Sequence, residues 1–188
     1  MKRKFAAFDI DGTISRNALF YQIVDGLIEH GFLPKDKKDQ LTEKFEAYKK
    51  RAHKHAYKDF TALAVEVLKD NLTKIRVSDY RKVVDEIVPK NAHYTYTYTT
   101  ELIEKLRAEG YFLIALSGSE KYSVDVFCER LGFDIALGEE YFEKDGYFTG
   151  EVEQVVHRKE IFLQRFIEEQ NLTREGSVAI GDSAGDNS

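Results

Sequence analysis

The sequence predicts an α/β fold, a three-layer core around a parallel sheet with a helical insertion after the first strand, and three observations carry that expectation. Apolar runs of strand length alternate with helix-period segments from Tyr111 onward. Residues 14–90 hold helical patterns with no strand among them. The apolar runs FAAFDI, YFLIALS and SVAI each end abruptly in a polar cluster, as strands buried on both faces do.

The first run ends in Asp9 and Asp11, followed by Gly12 and Thr13. Alternation along a strand points both carboxylates one way and Ile10 into the core, and Gly12 permits a sharp turn. Residues 17–30 read as an amphipathic helix with Leu19, Phe20, Ile23, Val24, Leu27 and Ile28 on one stripe, closed by Gly31. Residues 37–54 suit a largely solvated helix carrying Leu41, Phe45 and Tyr48. A third helix over 56–70 presents Phe60, Leu63, Ala64, Val67 and Leu68. A fourth, over 77–88, carries Val77, Tyr80, Val83, Val84 and Ile87, with Ser78 as N-cap and Pro89 as its stop. These four helices suit a small bundle of their own.

The Tyr/Thr alternation over 94–100 has strand propensity and could form an aromatic binding strip, but a connector into a helix from Thr100 to Arg107 is the better reading. YFLIALS is a second strand ending at Ser117 and Gly118. A helix from Lys121 to Leu131 and a short strand, FDIALG, follow it. EEYFEKDGYFTGEV, with Asp145-Gly146 between aromatic half-strands, signals a hairpin. Residues 158–170 form a helix with Ile161, Phe162, Phe166 and Ile167 inward, and SVAI is the last strand, ending in GDSAGDNS.

Composition limits the function classes. The 188 residues are 43% hydrophobic and 13% aromatic, enough for one core plus an insertion. A net charge of −5 gives no general attraction to nucleic acid or anionic membrane. The basic N-terminus lacks the apolar region of a secretory signal, and no run reaches the ~18 apolar residues a span needs. Cys128, the only cysteine, sits in an apolar helical pattern and reads as a reduced core thiol. A cytoplasmic protein with neither nucleic-acid nor membrane partners is expected.

In a parallel sheet the carboxyl ends of all strands share one edge, where ligands bind. Asp9/Asp11, Ser117/Gly118 and Asp182/Asp186 would therefore meet there, joined by Lys159 at the start of a helix. Hard carboxylate ligands suit Mg²⁺. A hydroxyl, a glycine N–H and an ammonium suit phosphoryl oxygens. A carboxylate in line with phosphorus can act as nucleophile while its neighbour transfers protons.

In that order FDIDGT, ALSGS, the helix-opening lysine and AIGDSAGD resemble the four motifs of the haloacid dehalogenase superfamily. The insertion after the first motif and the EYFEKDGYFTGEV hairpin are most similar to its phosphoserine phosphatase-like branch. The resemblance implies a Rossmann-like catalytic core over 1–13 and 91–188 with a helical cap over 14–90. It implies Mg²⁺-dependent hydrolysis of a small phosphomonoester through an aspartyl-phosphate. Asp9 would be nucleophile and metal ligand. Asp11 would be the general acid/base, its backbone carbonyl also on the metal. Ser117, Gly118 and Lys159 would hold the phosphoryl group, Asp182 would bind the metal, and Asp186 would orient ligands or metal-bound water. Thr13 and Ser183 would support loop geometry, and the histidines match no motif. A phosphotransferase with the same intermediate and a silent phosphate-binding module of the same fold are the alternatives.

Two departures matter. Where that branch carries a glutamate facing the substrate's amino group, this chain has Ala18, with Arg16 nearby as a candidate specificity residue. A small phosphomonoester other than phosphoserine is therefore expected. The chain also stops two residues after Asp186, where the family continues through another strand and helix, so lower stability and weaker metal binding are expected.

Overall fold

The computed structural model describes residues 2–155 and 158–182. Among them, five strands form one sheet in the order β4-β3-β2-β1-β5. These are β1 (Arg3–Phe8), β2 (Phe112–Glu120), β3 (Ile135–Lys144), β4 (Tyr147–Glu153) and β5 (Leu172–Ile180). β1 pairs in parallel with β2 and β5, and β2 with β3, whereas β4 is an antiparallel edge. The expected parallel core is present, and the hairpin is fused onto it, since β3 runs from the core strand into the first half of the hairpin without a break. Asp145 and Gly146 both adopt positive φ, 54° and 80°, the requirement of a type I′ turn.

Alternation along the central strands separates two apolar layers. Ala6, Phe8, Leu113 and Ala115 join one buried cluster, while Phe5, Ala7, Ile114 and Leu116 join another. Helix α7 (Lys159–Glu169) covers the second face with Phe162, Phe166 and Ile167. Ile161, expected inward, is 59% exposed: the inward stripe is Phe162, Phe166 and Ile167, and Ile161 lies off its edge. The other face receives α5 (Thr97–Ala108) through Ile103 and Leu106, and α6 (Lys121–Glu129) through Val124, Phe127 and Cys128.

Between β1 and α5 lie α1 (Leu19–Glu29), α2 (Lys38–Lys49), α3 (Ala56–Lys69) and α4 (Val77–Asn91). They are not a bundle apart: α1 packs on α4, α4 on α6, and α2 on α3. One continuous apolar cluster runs from the sheet face through all four. Two end signals fail on α4. Ser78 lies inside the helix and Arg76 occupies the N-cap position without a side-chain bond. Pro89 does not stop it: the helix runs on two residues to Asn91, and the Ala92 N–H donates to the Pro89 carbonyl.

The Tyr/Thr stretch divides. Tyr96 N–H donates to the Ile14 carbonyl and Arg16 N–H to the Tyr94 carbonyl, so residues 94–96 run antiparallel beside 14–16. Thr97 already begins α5, so the connector expectation holds with an earlier helix start. Cys128 is buried, and burial pushes its thiol pKa up, keeping it protonated. No helix among the described residues is long and apolar enough to cross a membrane.

Candidate active site

The parallel pairing of β1, β2, β3 and β5 brings their carboxyl ends to one edge, and the polar residues after them surround a single cavity. β1 ends at Phe8, and the N–H of Asp9 still donates to the Ile180 carbonyl at 2.9 Å. The chain then folds over Ile10, whose carbonyl accepts from the N–H groups of Thr13, Ile14 and Ser15. Gly12 makes this turn at φ +88°, and a Cβ there would lie 2.2 Å from Asp182 Oδ2. Only glycine lets that carboxylate sit so close to the turn.

Asp9 and Lys159, 150 residues apart in the chain, form an ion pair with Nζ 2.6 Å from Oδ1. Their side chains are 10% and 12% exposed, so the pair is shielded from water and its attraction is weakly screened. Asp11 turns the other way. One carboxylate oxygen accepts the N–H of Leu19, at the start of a helix that has no side-chain cap of its own. The other accepts the hydroxyls of Ser119 at 2.8 Å and Ser117 at 3.2 Å. Burial pushes the Asp11 carboxyl above the usual carboxylate range; the bonds from Leu19, Ser119 and Ser117 and the charge of Lys159 pull the other way.

A cavity of about 830 Å³ opens over these groups and is lined by Asp9, Asp11, Gly118, Ser119, Lys159 and Asp182. Its far walls come from α2 and α3, through Tyr48, Tyr57 and Phe60, and from the hairpin, through Tyr141 and Val152. Of the expected site residues, Asp9, Asp11, Gly118, Lys159 and Asp182 thus meet. Ser117 is fully buried beneath Asp11, accepting the Ser119 N–H and reaching the cavity only through its neighbours. Arg16 does not line the cavity: its guanidinium lies 5.6 Å from the Tyr96 ring centre, while Ala18 lines the wall. The ring of Tyr96, delivered beside Arg16 by the 94–96 pairing, captures it. Thr13 is buried with its hydroxyl unbonded. Asp186, Ser183 and His157 lie outside the described residues.

Several lining residues are not apparent from the sequence alone. Ser119 follows Ser117 by two, so strand alternation places both hydroxyls on one side. Glu139, Tyr48, Tyr57 and Lys69 belong to no motif and enter through tertiary packing. No three carboxylate, imidazole or thiol side chains among the described residues converge as a metal-binding group.

The family model for haloacid dehalogenase-like hydrolases matches residues 6–188. The chain is 26% identical over 188 residues to a phosphoserine phosphatase of Methanocaldococcus jannaschii, covering 98% of this chain and 80% of that one. It is 25% identical to a phosphoserine phosphatase of Archaeoglobus fulgidus, of which it spans about half, 49%. A solved Bordetella pertussis protein of unknown function superposes with a TM-score of 0.76 at 16% identity, covering 99% of this chain and 85% of that one. A structure described as a phospho-aspartyl intermediate analogue of phosphoserine phosphatase gives 0.62 at 22% identity, with 100% and 81% covered. Both structural likenesses are to the fold.

Proposed function

The chain belongs to the haloacid dehalogenase-like hydrolase family, and from that premise we propose that it is a Mg²⁺-dependent phosphomonoester hydrolase acting through an aspartyl-phosphate. The observation that carries this is the Asp9–Lys159 pair at 2.6 Å in a cavity also lined by Asp11, Gly118 and Asp182. A buried carboxylate held by an ammonium is ionised and oriented, as a nucleophile must be.

In the first step an Asp9 oxygen attacks phosphorus, the bond to the leaving oxygen breaks, and Asp11 supplies that oxygen with a proton. In the second, Asp11 takes a proton from water, the water oxygen attacks phosphorus, and the Asp9–phosphorus bond breaks to release inorganic phosphate. Burial, which favours the protonated form of Asp11, suits the acid step. Lys159 balances charge on the phosphoryl oxygens, and Gly118 and Ser119 line the same space.

The donor set fits Mg²⁺, which takes one or two carboxylates and keeps several waters. The Asp11 carboxylate is engaged by Leu19, Ser117 and Ser119, which leaves the carboxylates of Asp9 and Asp182 with the Asp11 main-chain carbonyl as ligands. When bound, the ion would neutralise phosphoryl charge. Asp186 would orient its surroundings.

Residues 14–90 would act as a cap over a core of 1–13 and 91–188. The paired segments 14–16 and 94–96 would bring the two junctions of cap and core together, and closure would exclude water during phosphoryl transfer. Phosphoserine is the substrate named for the two relatives. Ala18 in the cavity wall offers no counter-charge to its amino group, so another small phosphomonoester is the proposed substrate. Mass spectrometry of acid-quenched turnover mixtures tests the intermediate: a phosphoryl adduct on Asp9 is expected. Turnover with the adduct absent, or on another residue, would overturn it.

A further inference from the structure

Beyond the reaction centre, the cavity continues as a channel with two regular walls. On α3, Tyr57, Thr61, Val65 and Lys69 follow one another at four-residue spacing, so they form one stripe beside the buried Phe60, Ala64 and Leu68. The stripe spans about 18 Å at the rise of an α-helix. On the hairpin, Gly150, Val152 and Gln154 alternate along one face, with Tyr141 opposite Val152 in the ladder.

The two walls run in opposite chain directions. Tyr57 marks the end at the reaction centre: burial of its oxygen, then the charge of Asp11, the Tyr48 phenol and the charges of Asp182 and Asp9, push its pKa up to about 12. The far end is marked by Gly150, where a Cβ would lie 3.3 Å from the Thr73 side chain, in the turn just after Lys69.

Apolar and aromatic side chains predominate along this length, interrupted by Thr61, Lys69 and Gln154. Tyr57, Val65 and Val152 are 55%, 50% and 37% exposed, and all three face the channel. Leu68 and Leu72 complete its far part. Lys69, at the end of the stripe, makes no ion pair among the described residues. A small polar metabolite would leave these walls wet.

We infer that the channel takes the organic part of the substrate, and that this part is extended and apolar, lying along the Tyr57–Lys69 stripe while its phosphate sits at Asp9. The inference rests on the phosphohydrolase reading for the position of the phosphate, but its test does not need turnover. Straight-chain alkylphosphonates from ethyl to octyl, which cannot be hydrolysed, are titrated into the full chain with Mg²⁺ by calorimetry. Affinity should rise about twofold to fourfold per methylene, the increment of a buried CH₂. The rise should flatten in Val65→Asp, persist in Val65→Leu, and persist in Tyr98→Ser, an exposed tyrosine outside the channel. Equal affinity for ethyl- and octylphosphonate, no measurable binding of octylphosphonate, or an undiminished rise in Val65→Asp would each overturn the inference. A hydrolysis panel run beside it separates the two proposals. Asp9-dependent turnover indifferent to chain length leaves the reaction standing without the channel. Length-dependent binding without turnover does the reverse.

Discussion

Asp9 and Asp11 are two residues apart and identical in chemistry, yet their surroundings divide them. Asp9 faces the Lys159 ammonium, while Asp11 is sunk among Leu19, Ser117 and Ser119. Substituting Asp11→Asn should lower kcat by about 10²–10⁴-fold, the usual weight of a general acid/base, with little change in binding of a phosphonate. Steady-state kinetics beside calorimetry check this. Gly12 supplies a second prediction. Gly12→Ala must hold alanine at φ +88° and drive a methyl into Asp182. A loss of about 1–2 kcal/mol from the strained backbone and a marked fall in Mg²⁺-supported activity are expected from urea unfolding and rate measurements. At this scale the sequence was informative where chemistry forced a residue type, as at Asp9, Asp11 and Lys159. It named Arg16 as a candidate specificity residue but could not place it, because its position off the cavity is decided by a tyrosine eighty residues on, delivered by the 94–96 pairing.

Helix α7 carries Lys159 at its first turn, so its docking aims the ammonium. Phe162→Ala should cost about 3–5 kcal/mol as a buried aromatic is removed, and should raise KM as the helix loosens. Ile161→Ala, one position away and exposed, should stay within about 0.5 kcal/mol of the parent. Chemical denaturation of both variants decides whether the inward stripe is the one described. Strands and the hairpin were readable because apolar runs and Asp145-Gly146 are local signals. The α4 ends were not, since Arg76 there takes its position from tertiary pairing with Tyr147 rather than from a side-chain cap. The α3 stripe was hidden for a related reason. Tyr57, Thr61, Val65 and Lys69 mix apolar and polar types, and only the hairpin opposite turns them into a wall.

Across the whole molecule, one apolar cluster joins the sheet to the inserted helices, so the walls of the cavity share a core with its floor. Mg²⁺ bound between Asp9 and Asp182 should therefore stabilise the entire chain, by about 2.7 kcal/mol at a hundredfold excess over its Kd. The thermal midpoint should rise with Mg²⁺ in the parent and stay put in Asp182→Asn. The chemistry itself is tested most directly by hydrolysis of an aryl phosphate, with and without Mg²⁺, by the parent chain and by Asp9→Asn. Turnover that requires both the metal and Asp9 is the expected result. Turnover that survives in Asp9→Asn would contradict the assignment of Asp9 as nucleophile.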